Sequence, residues 1–263
     1  MSDFIPFAVI GCGRIGQRHM EMILNMPGAE LVAICDVKEK KALGIDMEVP
    51  LYSSVQNLLS AHPELKVVAI ATPNGYHAEH ALQVIQAGGH PIIEKPMALR
   101  RSDAEKVLHA ALQKGVYVFG VMQNRYSPPS AWLKEVVSSG KLGEIYQVHV
   151  DCFWNRDDRY YHPGDWHGTK ALDGGTLFTQ FSHFIDILYW VFGDIHPTAV
   201  QLHNFNHAHS IDFEDSGMIH FDLVEGGGRV LKLFNQCVGC QFGVFHDGHW
   251  LKRIRKSRWA IHE

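Results

Sequence analysis

The chain has 263 residues, 46% of them apolar, a formal charge of −4 and five cysteines. That length and apolar content predict packed cores in two moderate domains, and the mildly acidic balance excludes a global basic field for nucleic acid. An odd cysteine count excludes a disulfide framework and no run approaches the ~18 apolar residues of a membrane span; with no basic segment leading a signal-type apolar one, a reducing cytoplasm is expected.

The opening "FAVIGCGRIGQRHMEMI" sets an apolar β-type run, Phe7 to Ile10, before Gly11, Gly13 and Gly16 and a helix-compatible stretch. This is G-x-G-x-x-G between strand and helix. The first glycine permits a tight turn, the second lets a pyrophosphate approach the backbone, and the third allows the helix to pack closely on the strand. Arg14 and Ile15, inside the loop, join the expected cofactor-binding set. A second strand, "ELVAICD", ends in Asp36. A carboxylate there accepts hydrogen bonds from ribose hydroxyls and repels a 2′-phosphate, so NAD is expected over NADP, although Lys38, Lys40 and Lys41 lie nearby.

Further on, "KVVAIATP" is a continuous apolar strand and "HAEHALQVIQAG" repeats apolar residues at helical spacing before a Gly-Gly stop. Strand-helix alternation through residue 122 predicts a doubly wound parallel sheet, a Rossmann domain over 1–122. Thr72, Asn74 and His77 then fall beyond a strand's carboxyl end, where ligands bind in such sheets; His77 can equally be satisfied by backbone at a helix start. "PIIEKPMAL" delivers Glu94 and Lys95 at the end of a buried strand, beside the expected nicotinamide, with a rigid and conceivably cis proline next. Asn124 and Arg125 follow another strand, and the prolines after them suit a domain boundary near 123.

In "DGGTLFTQFSHFIDILYWVFGD", His183, Asp186, Ile187 and Trp190 lie at helical spacings behind two glycines, so His183 sits in the first turns of an amphipathic helix, as a core residue or as a catalyst. Upstream, "WNRDDRYYHPGDWHGTKALDGG" is dense in Arg156, Arg159, Tyr160, Tyr161, Trp166 and His167. Ring faces with guanidinium groups suit a sugar bearing phosphate or carboxylate, and equally suit a solvated loop.

The three glycines, Asp36 and the Glu94-Lys95-Pro96 triplet, over roughly residues 5 to 232, resemble the glucose-fructose oxidoreductase and inositol dehydrogenase (Gfo/Idh/MocA) family. The resemblance implies a second, α+β domain over 123–234 with a mixed, largely antiparallel sheet. It implies hydride transfer between a sugar hydroxyl and nicotinamide, with Lys95 on the reacting hydroxyl and His183 as acid or base. Tyr161, Trp166, Asn124, Arg125 and Thr179 complete the expected substrate set. Many relatives carry aspartate where this chain has Thr179, which holds no charge; sugar-nucleotide members also use a neutral residue there. The branch most resembled is the nucleotide-sugar 3-dehydrogenases of surface-polysaccharide synthesis. Members assemble as homo-oligomers through the second sheet.

Residues 235–263 follow neither a strand nor a helix period, and relatives run longer. A one-base frame slip near Phe234 is the expectation, because the shifted frame permits a Val-Ile-Gly-x-Lys-Gly-x-Val hairpin. Cys237, Cys240, His246 and His249 are then codon accidents rather than a zinc site, and "KRIRKSR" loses its pull toward nucleic acid. The opposing reading is an NAD-binding fragment made inactive by an incomplete substrate sheet.

Overall fold

A computed structural model describes residues 4–162 and 164–224 fully, and the backbone of 229–235, 245–246 and 249–250. The first half alternates strand and helix: β1 (Ile5–Ile10), α1 (Arg14–Leu24), β2 (Ala29–Cys35), α2 (Lys40–Leu43), β3 (Leu51–Tyr52), α3 (Val55–Ala61), β4 (Val67–Ile70), α4 (His77–Gln86), β5 (His90–Ile93), α5 (Arg101–Lys114) and β6 (Phe119–Gly120). All six strands are parallel, in the order β3-β2-β1-β4-β5-β6. The order reverses at β1 and β4, which makes their carboxyl ends the switch point of a doubly wound sheet.

The apolar run of β1 explains its central place. Phe7, Ala8, Val9 and Ile10 are all buried, because both faces of the strand are covered. Met20 and Ile23 of α1 close one face. On the other, Leu58 of α3, Val84 and Ile85 of α4 and Val107 of α5 pack together. Fully burying each such side chain contributes about 1.5–3 kcal/mol. As the Gly-Gly signal predicts, α4 stops at Gln86, with Gly88 at a φ of +88°.

The second half comprises α6 (Pro128–Ser138), β7 (Gln147–Phe153), α7 (Thr176–Thr179), α8 (Ser182–Phe192), β8 (Ile195–His203), β9 (Ser216–Leu223) and β10 (Arg229–Asn235). The sheet runs β7-β10-β9-β8, parallel between β7 and β10 and antiparallel elsewhere. Phe181 and Leu188 pack on its inner face against Ile219, Phe221 and Leu223. The alternation of β9 thus meets the apolar stripe of α8. Backbone segments Phe245–His246 (β11) and His249–Trp250 (β12) pair antiparallel. The frame-slip and zinc readings of the tail, Cys237 and Cys240 included, lie outside the described residues. Among the described residues no helix is long and apolar enough to cross a membrane.

The glycine loop is fixed by packing. A Cβ on Gly16 would lie 1.8 Å from the Gly11 carbonyl oxygen, and one on Gly11, at φ +85°, would lie 2.6 Å from the Ala71 backbone after β4. Both contacts are with backbone, which has nowhere to retreat. A Cβ on Gly13 meets nothing within 4 Å. Gly16→Ala is therefore expected to cost about 3 kcal/mol, read as a lowered urea midpoint at unchanged m, while Gly13→Ala leaves the midpoint in place.

Candidate active site

A cleft of about 2170 Å³ opens at the switch point, lined by Gly11, Gly13, Arg14, Ile15, Asp36 and Thr72, with Tyr160, Trp166 and His167 on its far side. Gly16 does not line it; its place is the close contact between helix and loop. The Asp36 carboxylate accepts from the Cys12 amide at 2.7 Å and the Lys38 amide at 2.8 Å, so it is held at the mouth of the loop with lone pairs to spare. Gly13 N-caps the eleven-residue α1, whose first amides and dipole favour an anion. Open space over Gly13, a helix N-terminus and a fixed carboxylate one strand away fit the pyrophosphate and adenosine ribose of NAD.

Lys95 leaves the end of β5 by a cis bond to Pro96. Its ammonium donates to the Thr179 carbonyl at 2.5 Å, spanning the two halves of the chain. Thr179 is fixed in turn: its hydroxyl donates to the buried Asp173 carboxylate, and Asn74 Nδ2 donates to that hydroxyl at 3.1 Å and to the Asp173 carbonyl at 2.8 Å. Behind the lysine, Glu94 pairs with His19 at 2.9 Å. Burial lowers the Lys95 pKa; Glu94 and Asp173 oppose that, and Arg156 adds to it. Burial raises Asp173 above the usual carboxylate range, although the Thr179 hydroxyl pulls the other way.

His183, in the first turn of α8, is 9% exposed and its Nδ1 is buried without a hydrogen-bond partner. Burial, followed by the nearby Lys95 charge, pushes its pKa down to about 4. The imidazole is therefore neutral at pH 7 and able to accept a proton beside an ammonium. Neutral base and cation, 88 positions apart in the chain, share one site.

Residues 5–121 match the model of an oxidoreductase family with an NAD-binding Rossmann fold, GFO_IDH_MocA, and residues 131–240 match the GFO/IDH/MocA C-terminal domain. An uncharacterised oxidoreductase of Synechocystis is 30% identical over 258 residues, 95% of this chain and 69% of that protein. The chain belongs to the GFO/IDH/MocA family. Inositol 2-dehydrogenase of Salmonella typhimurium is 24% identical over 89% of this chain and 68% of its own length. The WlbA dehydrogenase of Bordetella pertussis, solved with NADH and UDP-GlcNAcA, superposes with a TM-score of 0.85 at 31% identity, over 92% of this chain and 70% of that one. NAD is the cofactor of this GFO/IDH/MocA chain, an oxidoreductase.

Several residues stand elsewhere than the sequence suggests. His77 does not reach the cleft: both ring nitrogens lie 2.7 Å from carbonyl oxygens, of Pro96 and of Thr72, so it ties the loops after β4 and β5 together. Arg125 is not open to substrate, since its fork grips Asp186 at 2.7 and 2.5 Å and braces α8. Asn124 lies in the same short helical turn, its carbonyl accepting from Ser127 at 2.9 Å; like Lys95 and His183, it is not among the residues that line the cleft. Tyr161 is 1% exposed and packs on Ile211 and Phe213 as core; its neighbour Tyr160 faces the cleft instead. Both amides donate to the Asp157 carbonyl, at 2.9 and 3.1 Å, and sequence cannot say which of two rings in such a turn points inward. His19, Asp173 and Gln180 were not predicted. Only the place of Asp173 just ahead of the glycine pair offered a signal.

Gly13→Ala should weaken NADH binding about tenfold or more by titration calorimetry, a methyl having entered the pyrophosphate's space. Asp36→Ser should narrow the preference for NAD over NADP, read as the ratio of the two dissociation constants, because the carboxylate that repels a 2′-phosphate is gone.

Proposed function

We propose that the chain moves a hydride between a secondary hydroxyl of a sugar, carried on a nucleotide, and NAD. The observation that carries this reading is the buried His183, its Nδ1 without a partner among the described residues, four residues after the Thr179 whose carbonyl holds the Lys95 ammonium. When bound, nicotinamide supplies the hydride acceptor. Lys95 Nζ, aimed by the Thr179 carbonyl, donates to the reacting hydroxyl oxygen and stabilises the negative charge that grows there. His183 accepts the hydroxyl proton. Asn74 and Asp173 hold Thr179 and touch no substrate. Reduction uses the same groups in reverse.

A carbohydrate suits the polar atoms left unmet. Among the described residues, Gln180 Oε1, Ser182 Oγ and His183 Nδ1 are buried without partners within one short segment, so this stretch keeps polar capacity beside the reacting groups. The aromatic wall favours a nucleotide carrier: Trp166 and His167 stack with centroids 3.8 Å apart, and Tyr160 stands 4.4 Å from His167. The likeness to WlbA, solved with UDP-GlcNAcA, points the same way; a part in surface-polysaccharide synthesis follows from the resemblance to nucleotide-sugar 3-dehydrogenases. A cytoplasmic setting suits Cys12 and Cys35, whose thiols burial pushes up to about 12 and about 11, far from the reactive thiolate.

Lys95→Met is expected to lower kcat/KM on nucleotide sugars by at least ~100-fold while NADH still binds; retained turnover removes lysine from the mechanism. The acid limb of kcat/KM should fall near pH 4 rather than 6.5, because His183 works only unprotonated and its pKa is depressed. The alkaline limb should fall below 10.5, since burial lowers the pKa of an ammonium that must stay protonated. An acid limb at 6.5 that His183→Gln leaves unmoved would exclude the imidazole as base.

A further inference from the structure

His77 opens α4 and is 1% exposed, so its ring nitrogens have protein rather than water for partners. Nδ1 lies 2.7 Å from the Pro96 carbonyl oxygen and Nε2 2.7 Å from that of Thr72. Carbonyl oxygens only accept, so the ring donates. Burial lowers its pKa, the two carbonyls opposing, and the neutral ring has one proton for the two of them to share. The two carbonyls differ in what else holds them. Next to Thr72, the Ala71 amide donates to the Ile10 carbonyl at 2.8 Å, so that loop is already anchored on β1. Pro96 has no such anchor. After β5 the Glu94 amide still donates to the Ile70 carbonyl at 3.0 Å, but among the described residues the stretch 95–99 makes no hydrogen bond to another backbone group. Lys95 is the first residue of that stretch.

We propose that His77 is a positioning residue for Lys95, acting through the Pro96 carbonyl to fix the backbone from which the ammonium reaches Thr179. This rests on the role given to Lys95 above and supplies the support that role needs. A flexible four-carbon stem is placed only when both its ends are held. The Thr179 carbonyl holds the tip. At the root, the Lys95 amide donates to the Glu94 carboxylate at 3.2 Å on one side, and His77 takes the Pro96 carbonyl on the other. The ring itself is not among the residues that line the cleft, so it acts on the chemistry only through the lysine. With the Pro96 carbonyl let go, the root swings and the ammonium exchanges Thr179 for water. The burial that lowers the Lys95 pKa is then lifted.

The test is competitive acetylation of the full chain with acetic anhydride across the alkaline range, each lysine being followed by peptide mass spectrometry, with the exposed Lys66 and Lys114 as internal references. Two variants separate the two contacts: the amide nitrogen of asparagine falls where Nδ1 stands and that of glutamine where Nε2 stands. His77→Gln, which keeps the hold on Thr72 alone, should label Lys95 on the order of tenfold faster than wild type and move its titration up toward 10.5. His77→Asn, which keeps the hold on Pro96, should stay near wild type in both. NADH affinity unchanged in His77→Gln shows that this variant is folded. On a nucleotide sugar, kcat should fall on the order of 100-fold in His77→Gln and recover in His77→Asn. Lys95 labelling unchanged in His77→Gln, equal labelling in the two variants, or faster labelling of Lys66 and Lys114 alongside Lys95 overturns the proposal. Because acetylation needs no turnover, a wild type that labels as expected but oxidises no sugar removes the dehydrogenase reading and leaves the placement of Lys95 by His77 standing.

Discussion

The hydrogen bond from the Lys95 ammonium to the Thr179 carbonyl joins the end of β5 to the turn before α8. Each half of the chain builds its own sheet, and neither sheet contains a complete site. Lysine comes from one half and the neutral imidazole from the other. Their meeting therefore depends on how the loops between them are held. Asn74 reinforces the junction from the β4 side by bonding both Asp173 and Thr179, so three residues from distant parts of the sequence fix one backbone oxygen. A lysine on a flexible four-carbon stem loses much of its entropy in such a mounting, but a preorganised donor is what a growing negative charge requires.

The electrostatics of the junction follow from burial and from the company each group keeps. Lys95 and Arg156 are cations near one another, and Glu94 and Asp173 balance them from positions behind the reactive face. Glu94 is itself occupied by His19. The outcome is a region where burial lowers the pKa of an imidazole and raises that of a carboxylate, Asp173. Thr179 has a consequence here: its hydroxyl, at the end of α7, donates to the Asp173 carboxylate on the preceding loop.

Structural supports and chemically active groups are of the same residue types in this molecule. His77, Arg125 and Tyr161 look like ligands by composition and serve as clasps and core. Each is satisfied inside the protein: His77 by two carbonyls, Arg125 by Asp186, Tyr161 by apolar contacts. Among the described residues, Arg156, Gln180, Ser182 and His183 carry buried polar atoms without a hydrogen-bond partner. Internal partners, rather than residue identity, mark the scaffold.

The amino-acid sequence by itself determined the doubly wound parallel sheet, the glycine loop with Asp36, and the helix that carries His183. These depend on local rules, apolar runs of strand length, glycines where a Cβ would strike backbone, and helical spacing, each legible within about twenty residues. Lys95 was legible too, as a charge that a buried strand delivers to its end. Tertiary structure alone decided that Thr179 aims the lysine, that Asp173 lies behind the threonine, and that Tyr160 rather than Tyr161 faces the cleft. Those facts depend on contacts across 84 positions in one case and on the turn of a loop in the other. No periodicity records either, because the energy that fixes them comes from groups brought together only when the two sheets have formed and docked.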